Sequence, residues 1–179
     1  MKLFTFFAAV LFAASACTQQ NETEMTTMNS DTEHSELVAT VMQVGDSNVA
    51  GSVTFSEAEN GVRIQGNFEG LEPGNHGFHI HQYGDCTAED GTSAGGHFNP
   101  ADNDHGAPTD MVRHMGDLGN IVASDNGMAT IDYVDETVTI NQILGRGIII
   151  HAGEDDLTSQ PTGAAGSRVA CGVIGIAQK

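Results

Sequence analysis

From Leu37 onward the chain consists of short hydrophobic or alternating runs that turn residues separate, and this pattern constrains the fold most. The runs read LVATVMQV, VAGSVTFSEA, VRIQGNFEGL, HGFHIHQY, NIVAS, MATIDYV, RGIIIH and RVACGVIGIA. Two of the separating segments, ENG and DNG, are typical of β-hairpins. None of the runs has the periodicity of an amphipathic helix. About eight short strands predict an all-β sandwich or barrel, and 22 glycines agree with many tight turns.

Two segments do not fit as strands. Residues 84–118 and 152–167 are long, rich in Gly, Asp and Pro, and contain few hydrophobic residues. Long structureless segments in a compact domain are usually either functional or disordered. Three of the eight histidines lie in the first segment, which favours function. We therefore expect two long functional loops on the β scaffold.

The N-terminal residues, MKLFTFFAAVLFAASAC, have the features of an export signal. One lysine precedes a hydrophobic run over 3–16, which is too short to span a bilayer comfortably. The small residues before Cys17 resemble a bacterial lipobox, with Ala14 where leucine is commonest. We expect residues 1–17 to be a signal peptide with Cys17 lipidated as the mature N-terminus. The alternative is an ordinary secretory cleavage site that lies beside a cysteine.

The next segment, residues 18–36, is polar and acidic and has no hydrophobic periodicity. This composition predicts a disordered tether, which leaves residues 37–179 as a single domain. In an exported protein the two cysteines that remain, Cys86 and Cys171, favour a disulfide. Cys17 is then the unpaired cysteine, as a lipid on its sulfur would explain.

The charge balance is strongly negative, with a formal net charge of -18. A nucleic-acid binder that works through a basic face is excluded, because phosphates would be repelled. Residues 37–179 hold 19 acidic and 5 basic residues, and no lysine lies between Lys2 and Lys179. An anionic substrate would therefore need a local positive charge at its binding site.

The HIH motif places two imidazoles on one face of a strand, because residues i and i+2 point the same way. Ile80 would then point into the core. Taken alone, His79 and His81 are either two metal ligands or two polar residues on a solvated face.

Further histidines favour the metal site. His97, His105 and His114 follow in the first loop, Asp117 comes three residues after His114, and His151 ends the run GIIIH. Imidazole nitrogen suits copper and zinc, and an aspartate oxygen suits zinc. Six histidines and one aspartate supply two four-coordinate sites only if one imidazole serves both metals. Scattered surface histidines are the competing interpretation.

Five segments closely resemble copper–zinc superoxide dismutases: GFHIHQYGDC, TSAGGHFNP, HMGDLGNI, GRGIIIH and GAAGSRVACGVIGIAQ. The similarity covers about residues 37–179. It implies an eight-stranded Greek-key β-barrel or sandwich of immunoglobulin-like architecture with two long functional loops. The short second loop, where only TSQ lies between DDL and PTGAAGSR, and the position of Cys86 in YGDC resemble the bacterial exported branch of the family.

Carried over by position, the resemblance implies two metal sites that share one histidine. Copper would be bound by His79, His81, His97 and His151, and zinc by His97, His105, His114 and Asp117. Asp155 in HAGEDDL would accept hydrogen bonds from His79 and His105 and so fix their orientation. His76 matches a structural histidine that is not a ligand. The resemblance also implies the Cys86–Cys171 bridge, which would tie the first loop to the last strand.

The activity that the resemblance implies is the dismutation of superoxide to dioxygen and hydrogen peroxide by copper cycling between Cu(II) and Cu(I). His97 would leave copper on reduction, take up a proton and return it. Arg168 in GSRVAC matches the arginine that docks the anion beside copper. Arg113 would either help to attract the anion or only pack over the first loop.

A non-catalytic copper- and zinc-binding module, such as a metal buffer or chaperone-like domain, is the rival function. Members of this kind typically lack ligands or the arginine, whereas the full set is present here. The expected location is the periplasm or cell surface, with membrane contact only through the lipid on Cys17. Dimers and monomers both occur in the family, so a homodimer is kept as a hypothesis.

Overall fold

The computed structural model describes residues 34–178, so the predicted signal peptide, Cys17 and most of the tether lie outside the described residues. The strands are β1 (Glu36–Gln43), β2 (Ala50–Ala58), β3 (Gly61–Glu69), β4 (Gly74–His81), β5 (Asp117–Ala123), β6 (Ala129–Asp135), β7 (Gly147–His151), β8 (Arg168–Val173) and β9 (Gly175–Ile176). A 3-10 helix (Thr92–Ala94) and a one-turn helix α1 (Ile140–Ile143) lie in the connections. Within residues 34–178 no helix is long and apolar enough to cross a membrane.

The strands form one antiparallel sheet in the order β5-β4-β7-β8-β1-β2-β3-β6, and β9 pairs with β1. The chain from β6 to β7 crosses from one end of this order to its middle, which is a Greek-key connection. Because β5 and β6 follow one another directly in the chain, the two ends of the sheet meet and the barrel nearly closes. The all-β Greek-key barrel expected above is confirmed.

Three details differ from the expectation. The DNG segment forms a turn in which Ser124 N donates to Met128 O at 2.9 Å, but no ladder continues from it, since β5 pairs with β4 and β6 with β3. The last run divides into β8 and β9 at Ile174. The main chain of Ile174 forms hydrogen bonds with Arg146 O and Gly145 N, outside the strand ladders. The unexpected α1 forms because Ile140 and Ile143, three residues apart, are both buried on its inner face.

The core follows the alternation of the sequence where one strand face is solvated. In β3 every second residue is buried, including Val62, Ile64 and Phe68, and the Phe68 and Phe78 rings pack with centroids 5.6 Å apart. In β4 the last six residues are all buried. Ile80 points into the core as expected, but the opposite face is covered by the loops and not solvated.

The predicted disulfide between Cys86 and Cys171 is present and joins residues 85 positions apart. It ties the first loop, which begins after β4, to β8. Closing a loop of this length stabilises the fold by roughly 4–5 kcal/mol in the chain-entropy treatment. The loop is therefore anchored to the barrel at its beginning.

Candidate metal centre

Two clusters of four buried side chains lie side by side beneath the loops. The first contains His79, His81, His97 and His151, and the second contains His97, His105, His114 and Asp117. In each cluster one potential ligand atom per residue lies within 4.8 Å of the others. The structure thus brings all seven sequence-predicted ligand residues together, with His97 in both clusters.

The backbone holds three ligand-bearing segments together through a ring of hydrogen bonds. Phe98 N donates to Ile80 O at 2.8 Å, Ile80 N to Gly116 O at 2.9 Å, and Gly116 N to Phe98 O at 2.9 Å. A Cβ atom at Gly116 would lie 2.2 Å from Ile80 O, so the close approach requires glycine. The ring fixes the first loop against β4, next to His97 and Asp117.

Backbone acceptors determine which nitrogens of the first cluster are free. His81 Nδ1 donates to Gly95 O at 2.9 Å, and His151 Nδ1 donates to Gly166 O at 3.1 Å. Each Nε2 atom therefore keeps its lone pair, and the two Nε2 atoms face each other at 3.4 Å. Burial lowers the pKa of His151 to about 3, so this imidazole is neutral near pH 7.

The carboxylate of Asp155 determines the free nitrogens of two more imidazoles. His79 Nε2 donates to Asp155 Oδ2 at 2.8 Å, and His105 Nε2 donates to Asp155 Oδ1 at 2.9 Å. This leaves the buried Nδ1 atom of His79 without a hydrogen-bond partner among residues 34–178, and it turns His105 Nδ1 toward Asp117 Oδ2, 3.0 Å away. Asn120 holds the main chain of Asp155 through two bonds of 2.8 Å.

Asp117 lies among the nitrogens of the second cluster. Its Oδ1 atom is 2.7 Å from His97 Nδ1 and 3.1 Å from His114 Nδ1, and its Oδ2 atom is 3.0 Å from His105 Nδ1. Burial would raise the pKa of Asp117, but the contacts with His105 and His97 hold it well below the usual range. Burial likewise opposes a charge on His105, yet the carboxylates on both sides raise its pKa to about 9. Two buried carboxylates thus flank His105, and their negative charge favours a cation among these side chains.

His97 connects the two clusters. Its Nδ1 atom faces Asp117, and its buried Nε2 atom has no hydrogen-bond partner among the described residues. Its ring centroid lies 4.0 Å from that of His79 and 5.4 Å from that of His105. Burial lowers the pKa of His97 to about 4. A neutral imidazole with one nitrogen toward each cluster suits a pair of metal ions. The residues present therefore fit a metal ion in each cluster.

Arg168 adjoins the first cluster. It is the strand partner of His151, and its guanidinium donates to Gly91 O and Gly95 O, the second of which also accepts from His81. Three acidic residues line the same surface depression: Asp46, Glu89 and Asp90. Arg168 is thus half-buried and lies next to negative charge.

Arg113 and His76 have structural roles. Arg113 is 5% exposed and donates to Asp135 Oδ2 at 2.8 Å. It therefore packs over the first loop and contributes little positive charge at the protein surface. The ring nitrogens of His76 lie 2.8 Å from the carbonyl oxygens of His151 and Glu72. In the sequence we missed Asn120, because nothing in GDLGNI shows that its side chain reaches the second loop.

Comparison with known proteins agrees with this geometry. The copper/zinc superoxide dismutase (SODC) family matches residues 49–174. The extracellular superoxide dismutase [Cu-Zn] of Brugia pahangi is 47% identical over 148 residues, which cover 76% of this chain and 74% of the relative. Superoxide dismutase [Cu-Zn] 2 of Mesembryanthemum crystallinum is 46% identical over 142 residues, which cover 74% and 90% of the two chains.

Two further comparisons bear on location and fold. The extracellular superoxide dismutase [Cu-Zn] of Drosophila melanogaster is 44% identical over 146 residues, covering 75% of this chain and 80% of the relative. The crystal structure of the clock protein EA4 superposes with a TM-score of 0.73 at 40% identity, covering 80% and 95% of the two chains. The extracellular relatives come from animals, so they support export but give no support to a bacterial lipoprotein branch.

The family match spans well over half of the chain, and relatives of this similarity cover about three quarters of it. Histidine clusters able to hold the two metals lie within the matched residues. The chain therefore belongs to the copper/zinc superoxide dismutase family.

Proposed function

We propose that the two clusters divide the metals and carry the dismutation of superoxide to dioxygen and hydrogen peroxide that defines the family. Copper would be held by His79, His81, His97 and His151, and zinc by His97, His105, His114 and Asp117. The observation that carries this proposal is the convergence of buried imidazole nitrogens on both sides of His97, of which His79 Nδ1 and His97 Nε2 have no hydrogen-bond partner within residues 34–178. An all-imidazole set suits copper, and three imidazoles with one carboxylate suit zinc.

When bound, copper supplies the one-electron redox chemistry, whereas zinc has none. The chain itself supplies the proton transfer. His97 Nε2, neutral because of burial, takes up a proton in one half-reaction and returns it in the other, while Nδ1 stays directed toward Asp117. Asp155 keeps His79 and His105 in one tautomer and orientation throughout.

Arg168 is proposed to dock the superoxide anion. Its fixed charge and planar fork suit a small oxyanion, and the carbonyl of Gly95 holds its guanidinium beside His81. Arg113 is buried against Asp135, and the acidic residues Asp46, Glu89 and Asp90 line a surface depression together with Arg168. Attraction of the substrate then depends on Arg168 and on the bound metals.

The division of the metals is tested by replacing one ligand from each cluster. We expect His151→Ala to abolish superoxide turnover and copper binding while zinc binding is retained, because His151 lies in the first cluster alone. The reciprocal control, His114→Ala, should lose zinc binding more readily than copper binding. Metal content and turnover are measured on the metal-loaded proteins. Loss of zinc from His151→Ala would contradict the division, and a loaded wild type that binds both metals without turnover would favour the non-catalytic module.

The docking role is tested with Arg168→Gln. Removing the positive charge should slow the second-order rate with superoxide about 10-fold or more and flatten its dependence on ionic strength. Stopped-flow decay of superoxide at several salt concentrations measures both quantities, with Arg63→Gln on the far side of the barrel as the control. An unchanged rate and salt dependence would show that the anion is attracted elsewhere.

The protein is proposed to be exported and held at a bacterial membrane by a lipid on Cys17, in the periplasm or at the cell surface. Residues 1–17 would be the signal peptide and 18–36 the tether, and the domain would extend from 37 to 179. Support comes from the hydrophobic run that ends in small residues before Cys17. Mass spectrometry of the mature N-terminus should find a diacylglyceryl-modified cysteine. An unmodified N-terminus at another residue would refute the anchor.

A homodimer is proposed as the assembly. Four large side chains that are largely apolar are exposed at the surface: Tyr83, Leu144, Val173 and Ile176. Tyr83 and Val173 flank a close approach, since a Cβ atom at Gly84 would lie 3.0 Å from Val173 Cγ1. Sedimentation equilibrium should give twice the monomer mass for the wild type and a monomer for Val173→Asp. A monomeric wild type would exclude the homodimer.

A further inference from the structure

The second loop is short, and its turn brings Gln160 to the first loop. Asp156 Oδ1 accepts hydrogen bonds from Thr158 N at 3.0 Å and Ser159 N at 2.7 Å. Gly163 N then donates to Ser159 O at 2.7 Å. These bonds hold the TSQ segment, the only residues between DDL and PTGAAGSR, in one compact turn that ends at Gln160.

The carboxamide of Gln160 satisfies both main-chain groups of His105. His105 N donates to Gln160 Oε1 at 2.8 Å, and Gln160 Nε2 donates to His105 O at 2.9 Å. His105 lies in the first loop, outside any strand, so no ladder positions its backbone. Buried main-chain groups need partners, and in the described part of the chain Gln160 provides them here.

The same loop holds the ring of His105. Asp155 Oδ1 accepts from His105 Nε2 at 2.9 Å. A Cβ atom at Gly163, which has φ of 63°, would lie 1.8 Å from Asp155 Oδ1 and 2.6 Å from His105 Nε2. The loop therefore holds His105 at its main chain through Gln160 and at its ring through Asp155, with glycine covering the contact.

We propose that Gln160 is a positioning residue for the zinc ligand His105, and that this amide contact allows so short a second loop to fix the ligand. Two opposed hydrogen bonds determine both the position and the rotation of the His105 peptide groups. Asp155 then needs to orient only the ring. The inference rests on the zinc assignment proposed above.

The variant Gln160→Met tests the inference, because it keeps the length of the side chain and removes both hydrogen bonds. Zinc affinity, measured by competition with a chromophoric chelator, should fall about 10-fold or more, as for other residues that orient metal ligands. The visible spectrum of cobalt(II) bound at the zinc cluster should change, because the His105 nitrogen is no longer held in one position. Copper affinity should stay the same.

The matched control is Gln65→Met, which loses a surface bond of 3.1 Å to Asp132 on the exposed sheet. It should leave zinc affinity and the cobalt spectrum unchanged. Gln160→Glu keeps the acceptor for His105 N and loses the donor to His105 O, so it should weaken zinc binding as well. It serves as the test if the methionine variant does not fold.

Two results would overturn the role of Gln160 and leave the zinc assignment in place. In the first, Gln160→Met binds zinc and cobalt as the wild type does. In the second, the variant loses both metals equally and the melting temperature of its metal-free form falls, which indicates a general structural role. A wild type that binds no zinc at this cluster would instead overturn the zinc assignment, and the inference with it.

Discussion

The carboxylate of Asp155 joins the two histidine clusters by accepting hydrogen bonds from His79 and His105 at once. Each bond requires a proton on the Nε2 atom and turns the opposite Nδ1 atom toward its cluster. Because burial would raise the pKa of this carboxyl, the bonds from His105 and His79 are what hold that pKa well below its usual range. The charge of Asp155 is therefore maintained, and with it the orientation of one imidazole in each cluster.

The barrel and the loops contribute differently to the centre. The ladder of β4 with β7 places Ile80 in the core and so turns His79 and His81 to the outer face. The loops have no ladder, and their positions depend on separate contacts: the disulfide, the backbone ring at Gly116 and the amide of Asn120. Each contact fixes one end of a loop, so together they exclude solvent from a face that the strand pattern alone would leave exposed.

Electrostatics impose a second requirement on an enzyme of this family. The domain is strongly negative and its substrate is an anion, so only local positive charge can attract superoxide. The structure removes Arg113 from this role by burying it with Asp135. Arg168 remains beside the first cluster, where its guanidinium shares the carbonyl of Gly95 with His81. The geometry that positions a histidine of the first cluster thus also positions the positive charge.

The sequence by itself determined the all-β class, the β2–β3 hairpin and the seven candidate donors, because alternation, turn signals and donor types are local properties. The division of those donors into two sets came from the family resemblance. The sequence left the role of Arg113 open and wrongly suggested a β5–β6 hairpin, since burial and strand pairing depend on distant segments. Only the tertiary structure decided which nitrogen of each imidazole is free, because the acceptors, such as Asp155 and Gly95, lie far away in the chain. The contact between Gln160 and His105, 55 residues apart, likewise has no sequence signal.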